Sequence, residues 1–228
     1  MLLRIKYAKT AAGRFLSHLD LLRTMERAFR RACLPLAFSE GYNPHPRVSY
    51  ASALAVGVTS DGEYLDVELR EEVPLSLIRQ KLDCAMPPGI KILGVKRLVS
   101  KGKSLAAQIN MARYVVETKL LLPLGKKELE LAVARAVSQP FFNVVREGKK
   151  GKRQVNIKEG IYSLKAEPRG EILVIEMDIR TGSERNVRPE EVVEMLARVG
   201  NIPLGDRLSI HRIGLFIKDD EGIKTPVD

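Results

Sequence analysis

Tryptophan is absent from these 228 residues, and aromatic residues of all kinds make up only 5%. Proteins that hold single strands by base stacking need rings on adjacent strands. Here rings for stacking are few: Tyr50 and Tyr64 fall on neighbouring predicted strands. If the chain meets nucleic acid, recognition by backbone and shape fits better than a stacking platform. Cysteine is nearly as scarce. Cys33 and Cys84 stand far apart with no partner motif, which excludes a disulfide framework and points to a reduced, cytoplasmic protein. The three histidines, His18, His45 and His211, show neither an i,i+4 nor a His-x-His spacing, so no metal site is expected. There is no Gly-x-Ser-x-Gly, no phosphate-cradling glycine loop with lysine and no dinucleotide fingerprint, so neither a catalytic residue nor a cofactor is assigned. No apolar run reaches the roughly 18 residues that span a bilayer, and the opening MLLRIKYAK alternates like a strand with no signal-peptide core. No membrane partner is expected.

What is present in excess is positive charge. The formal net charge is +10, and the chain is 45% hydrophobic, enough for one large core or two small ones. Such a balance favours an anionic partner. Residues 1–110 carry 17 Lys and Arg against 10 Asp and Glu, whereas residues 111–228 carry 21 against 18.

Five arginines against three acids lie between Ser17 and Arg47. Ser17 and Asp20 form a Ser-x-x-Asp helix start. Leu22, Met25, Phe29 and Ala32 then form one stripe, with Arg23, Arg27, Arg30 and Arg31 opposite, inside about 100° of arc. The spacing predicts a helix over 17–33 that stops at Leu34-Pro35, because proline lacks the amide. Ser39 to Arg47 follows as a polar loop stiffened by Gly41, Pro44 and Pro46. His45, trapped between two prolines, would be held outward.

In order, Leu2–Lys9 reads as a strand, then the basic helix, strands at 47–55 and 63–69 joined by a turn at Asp61-Gly62, a helix over 74–84, and a strand at 90–95. This β-α-β-β-α-β series is the split pattern of ferredoxin-like folds. Residues 101–112 read as a linker, and the second half repeats the plan loosely: strand 113–121, helix 126–137 with Leu129, Val133 and Val137 inward, strand 141–145, strand 171–179, helix 189–198 and strand 207–217. Arg146–Arg153 (REGKKGKR) is a charged loop, and 156–168 has no clear period. The fold class is therefore α+β: two tandem ferredoxin-like (βαββαβ) domains, 1–100 and 113–228, the second decorated. In the first, strand order 4-1-3-2 with both helices on one face is expected.

The strings Arg14-x-x-x-Ser17-His18-Leu19-Asp20-Leu21-x-Arg23, Leu34-Pro35 and Ser39-x-Gly41-Tyr42-Asn43-Pro44-His45-Pro46-Arg47 resemble the radical-SAM-linked protein family. The shorter segments Val155-Asn156-Ile157-Lys158, Val187-Arg188-Pro189-Glu190 and Ile210-His211-Arg212 fit it as well. Members of that family stand fused to, or beside, a radical-SAM, cobalamin-domain protein, and the resemblance implies such a partner. The radical enzyme's cluster needs several thiolates, so with two separated cysteines this chain would be the linked protein.

Three functions stay open. The first is an RNA-binding accessory module that positions tRNA or rRNA for the radical-SAM partner and is not an enzyme on its own. Its contacts would be Arg14, Arg23, Arg27, Arg30, Arg31 and Arg47, with Lys149, Lys150, Lys152 and Arg153 as a flap over the phosphate backbone. His18, Asp20, Ser39, Tyr42, Asn43 and His45 would form a ligand pocket beside them. The second is a metal-independent endoribonuclease like the RAMP enzymes, with His18 or His45 as acid or base. The third is a protein-docking scaffold. The plain alternative for the arginines is a solvated helix side partly neutralised by Asp20 and Glu26. For Cys33 it is a small buried hydrophobe, for His18 a packed core histidine, and for the lysine-rich loop a solvated hairpin.

Overall fold

A computed structural model describes residues 1–99, 102–148, 151–182 and 185–227. The chain is α+β, mostly antiparallel sheet with few helices, and divides into two compact units. One comprises Met1–Asn110 with Arg212–Asp228, the other Met111–His211. No helix among the described residues is long and apolar enough to cross a membrane.

The first unit runs β1 (Leu2–Lys9), α1 (His18–Arg31), β2 (Val48–Tyr50), β3 (Thr59–Glu68), α2 (Leu75–Ala85), β4 (Ile90–Leu98) and a single helical turn, α3 (Leu105–Gln108). Strand β1 lies antiparallel between β3 and β4, and β2 pairs antiparallel with Leu65–Val67 of β3. The order β4-β1-β3-β2 is thus the one the sequence pattern predicts for this half. Alternation sends Leu3, Ile5, Tyr7, Leu65 and Val67 to one face. Leu21, Met25 and Phe29 of α1 and Ile78 and Leu82 of α2 pack there in one buried cluster. The two helices share a face because both bury their apolar stripe on the same side of the pleat.

The second unit runs β5 (Met111–Leu120), α4 (Lys126–Ser138), β6 (Asn143–Gly148), β7 (Gly151–Asn156), β8 (Ile161–Arg169), β9 (Ile172–Arg180), α5 (Pro189–Gly200) and the start of β10 (Leu204–Asp219). β9 lies antiparallel between β5 and β8, β10 pairs with β5, and β6–β7 form a separate hairpin. From Arg212 onward β10 belongs to the first unit, where it pairs with β3 and, antiparallel, with β11 (Gly222–Lys224).

Several sequence expectations need correction. Asp61-Gly62 is not a turn but sits inside the ten-residue strand β3. Glycine is required there because a Cβ on Gly62 would stand 2.7 Å from Gly214 Cα of β10. Strand β2 is three residues long, not nine. Leu21 and Ala28, with Met25 and Phe29, form the buried stripe of α1, and Leu22 is only half-buried. In α4, Ala132 and Ala136 turn inward with Leu129, and Val137 is exposed. Residues 156–168, which had no clear period, hold a 3-10 turn (Lys158–Gly160) and strand β8.

Helix α1 also ends for a different reason than Pro35. Cys33 takes a left-handed conformation (φ 49°), its N–H reaches Arg30 O at 3.0 Å and the Leu34 N–H reaches Phe29 O at 3.2 Å. These are the two bonds of a Schellman stop, with Leu34 and Phe29 meeting in the core. Cys33 is therefore exposed, not buried.

The centre of this unit is ionic. Arg212 and Glu63 are 4% and 1% exposed, and Arg212 Nη1 donates to both carboxylate oxygens at 3.0 and 3.1 Å. Lys9, 1% exposed, reaches, among the described residues, the carbonyls of Leu16 (3.0 Å) and Ala55 (3.4 Å). Burial draws its pKa down, partly offset by Glu63.

Two outcomes are expected. Arg212→Ala should lower unfolding free energy by about 3–5 kcal/mol by stranding a buried carboxylate. The double variant Arg212→Met/Glu63→Leu should recover most of that loss; equal urea midpoints for Arg212→Ala and the parent protein would refute it. Cys33→Gly should raise stability by roughly 0.5–1 kcal/mol, since glycine bears a left-handed φ without strain. A lower thermal midpoint for Cys33→Gly would show the Schellman stop is not strained.

Candidate nucleic-acid interface

Helix α1 is held from three sides. Ser17 caps its start, accepting the Asp20 N–H at 3.2 Å and donating its hydroxyl to Asp20 Oδ2 at 2.6 Å. That hydroxyl holds the Asp20 carboxyl below its ordinary pKa. The apolar stripe fixes rotation about the helix axis. Near the end, Arg31 Nη2 donates at 2.7 Å to Ala85 O, the last carbonyl of α2. A cation at a helix C-terminus stabilises both the orphan carbonyl and the dipole.

The predicted basic residues therefore divide by what holds them. Arg31 is a structural tie. Arg30 donates to Glu26 at 2.5 Å, an exposed i,i+4 pair, and Arg47 lies 3.4 Å from Glu68. Arg23 is 4.0 Å from its nearest carboxylate, Asp20. Arg27 is exposed and has no partner among the described residues. Arg14 sits 4.7 Å over the ring of Phe15, which is itself 70% exposed. Leu19 is also exposed and projects into the arginine arc. These two apolar side chains were not singled out from sequence. Their signal was that neither falls on the buried stripe.

The residues expected to form one pocket take separate places. His18 packs edge-on to Tyr50, ring centroids 6.1 Å apart, and its Nδ1 is buried without a hydrogen-bond partner among the described residues. Burial first, then Glu26, pushes the Tyr50 phenol well above its ordinary pKa. In the loop, Ser39 Oγ accepts the His45 N–H at 3.0 Å, and Ser39 N–H donates to His45 O at 2.8 Å. Tyr42, Asn43 and His45 are exposed. Among the described residues no hydrogen bond joins this loop to His18 or Asp20. Ala37 N–H donates to Glu68 O and Arg47 N–H to Ala37 O, so the loop leaves the C-terminal end of β3. His18 belongs to the other end of α1, about 20 Å along a 14-residue helix.

Below this loop, a cleft of about 520 Å³ is lined by Arg4, Arg47, Ser49, Asp66, Glu68 and Lys103, among others. Arg4 is already saturated there: it grips Asp66 at 2.8 and 2.9 Å and donates to Pro226 O at 2.5 Å. In the second unit Arg146–Gly148 and Gly151–Arg153 pair within the β6–β7 hairpin, in which Lys152 is 3.6 Å from Glu147 and Arg153 is exposed. Lys149 and Lys150 lie outside the described residues. Among the described residues no group of three His, Cys, Asp or Glu could hold a metal ion.

No curated protein matches the chain. Among solved structures, one chain of a Cbf5-Nop10-Gar1 complex is 8% identical over 91% of this chain and 47% of that one, with a TM-score of 0.48. A chain of an archaeal box H/ACA sRNP Nop10-Cbf5 complex is 8% identical over 91% and 46%, with a TM-score of 0.44. The present chain thus spans about half the length of those two. An unknown protein from Galdieria sulphuraria is 13% identical over 93% and 96%, with a TM-score of 0.27. Residues 2–189, which include the basic helix and the loop, match a family profile, and the chain belongs to that family, DUF2344, described as an uncharacterized protein conserved in bacteria.

Proposed function

We propose that this protein is an RNA-binding module that positions structured RNA, tRNA or rRNA, for a radical-SAM, cobalamin-domain partner in the cytoplasm. We propose too that each unit is a ferredoxin-like βαββαβ domain: residues 1–100 with closing support from β10, and β5-α4-β8-β9-α5-β10 with the β6–β7 hairpin inserted. The partner is inferred from the sequence motifs of the basic helix and loop.

The observation that carries the RNA assignment is the state of the exposed arginines on and before α1. Arg27 has no acidic partner among the described residues, Arg23 only a 4.0 Å one, and Arg14 lies on an exposed ring. An exposed guanidinium without a carboxylate in contact is available to a phosphate at little cost. Phe15 and Leu19 beside them offer an apolar surface on which a base or sugar can rest. Tyr42, Asn43 and His45 on the loop, and Lys152 with Arg153 on the hairpin, are proposed as further contacts, each exposed.

The test is the triple variant Arg14→Gln/Arg23→Gln/Arg27→Gln against a transcribed tRNA, read by filter binding between 50 and 200 mM salt. Loss of about three phosphate contacts should flatten the slope of log affinity against log salt by roughly 2 to 3. Unchanged affinity and slope in the folded variant would favour the protein-docking alternative. Cleavage of the RNA in excess EDTA, abolished by His18→Ala or His45→Ala, would favour the nuclease.

A further inference from the structure

Three large apolar side chains of the first unit, Phe15, Leu19 and Val56, stand in water, 70%, 62% and 57% exposed. One exposed apolar residue is ordinary, whereas several on neighbouring stretches mark a contact surface. Phe15 precedes the cap of α1, Leu19 lies in its first turn, and Val56 belongs to the connection between β2 and β3. The backbone ties these stretches together. Gly57 N–H donates to Arg14 O at 2.8 Å, and Lys9 Nζ bridges Leu16 O and Ala55 O. Gly57 itself turns through φ 87°, a conformation that other residues adopt only with strain. Arg212 also reaches Ala53 O at 3.4 Å, so the connection is pinned to the ionic centre.

The rings that the sequence offered for stacking are taken up elsewhere. Tyr64 is buried, and Tyr50 packs edge-on against His18. Tyr42 is exposed, but on the loop beyond the other end of α1. Phe15 is therefore the exposed ring that adjoins the basic residues. The Arg14 guanidinium lies 4.7 Å over one of its faces, and the ring's exposure leaves the other open.

Apolar and basic groups follow one another in a fixed order. Leu19, Arg23 and Arg27 succeed each other at i,i+4, a single row about 12 Å long on the surface of α1. The row begins apolar, beside Phe15, and continues with two exposed arginines. Order along the row, and no sum of charges, selects the ligand.

From this order we infer that the N-terminal end of α1 seats one unpaired nucleotide of the RNA, where a stem gives way to a loop or a single strand. The inference rests on the RNA reading above. A fully paired A-form stem keeps its bases stacked inside and presents phosphates, 2′-hydroxyls and a shallow groove. Against such a surface Phe15, Leu19 and Val56 have nothing apolar to bury on. An unpaired base exposes a π-face, which stacks on a ring whatever the base. With the stem's backbone on Arg23 and Arg27, the first unpaired base lies on Phe15 and Leu19. Its phosphate is then within reach of the Arg14 fork. One ring seats one base, so recognition elsewhere on the surface stays with backbone and shape.

The experiment gives the full chain two RNAs that share one stem, a hairpin with a single-stranded loop and a blunt duplex without one. Filter binding should show about a tenfold preference for the hairpin, the scale of one base stacked on an aromatic ring. Phe15→Ala, an exposed change, should abolish that preference, and Phe15→Trp should keep it. The slope of log affinity against log salt should be the same in Phe15→Ala as in the parent, since no phosphate contact is lost. Arg23→Gln/Arg27→Gln should instead flatten the slope for both RNAs. A 2-aminopurine in the loop should be quenched by the parent protein and not by Phe15→Ala. Equal affinity for the two RNAs, or a hairpin preference indifferent to Phe15→Ala, overturns this inference alone and assigns the apolar end to a protein contact. Binding of neither RNA overturns it together with the RNA reading.

Discussion

Much of the first unit depends on one buried ion pair. Glu63 and Arg212 lie 149 residues apart in sequence, yet the guanidinium meets both carboxylate oxygens in the interior. Removing two charges from water costs several kcal/mol each, so the pair adds little to stability as such. What it supplies is discrimination. If β10 slipped by one residue against β3, His211 or Ile213 would face Glu63 and leave a buried carboxylate without its cation. Gly62 imposes the same register sterically, since a Cβ there would stand 2.7 Å from Gly214 Cα. Two unlike constraints, charge and close approach, therefore select one alignment of the last strand.

The surrounding groups feel the same interior. Tyr7 is buried beside the pair, and burial, then Glu63, pushes its phenol upward. Among the described residues Lys9 finds carbonyl oxygens, and its ammonium is destabilised by burial. Such a centre permits little rearrangement, and α1 rests on the sheet next to it through Met25 and Phe29. The Arg31 contact with Ala85 O ties the far end of α1 to α2. The helix is thereby fixed in rotation, and its outward residues keep a constant spacing. That rigidity lets a row of arginines act as one surface, because each long side chain ordered on binding costs free energy and a rigid base keeps that cost to the side chains alone.

Strand order in the first unit and the existence of four of the five helices could be read from periodicity because their apolar stripes are long and the proline and glycine punctuation is clear. What escaped was set by partners distant in sequence. The stretch Asp61-Gly62 looks like a hairpin turn locally, and only the approach of Gly214 explains it as strand. The end of α1 was assigned to Pro35, whereas the left-handed Cys33 and the Phe29–Leu34 contact end it earlier. Among candidate site residues, the arginine face was legible and its division was not. Whether an arginine is free, paired like Arg30, or structural like Arg31 depends on Glu26 and on a carbonyl 54 residues away. His18, Ser39 and His45 were expected to line one pocket. The helix between them carries them apart, a consequence of 1.5 Å rise per residue.

Net charge gives a similarly incomplete account of where anions bind. By composition the first 110 residues look strongly basic and the remainder nearly balanced, which directs attention to α1 alone. Three of the second unit's acids are engaged elsewhere: Glu191 by Arg146, Asp178 by Arg113, Glu194 by Arg198. Their charges are cancelled locally. At physiological salt a charge is felt over only about 8 Å, so a distant pair contributes almost nothing to a cleft's potential. Binding capacity in a protein of this composition therefore depends on the pairing state of individual guanidinium groups, and the extended row on α1 follows from that criterion.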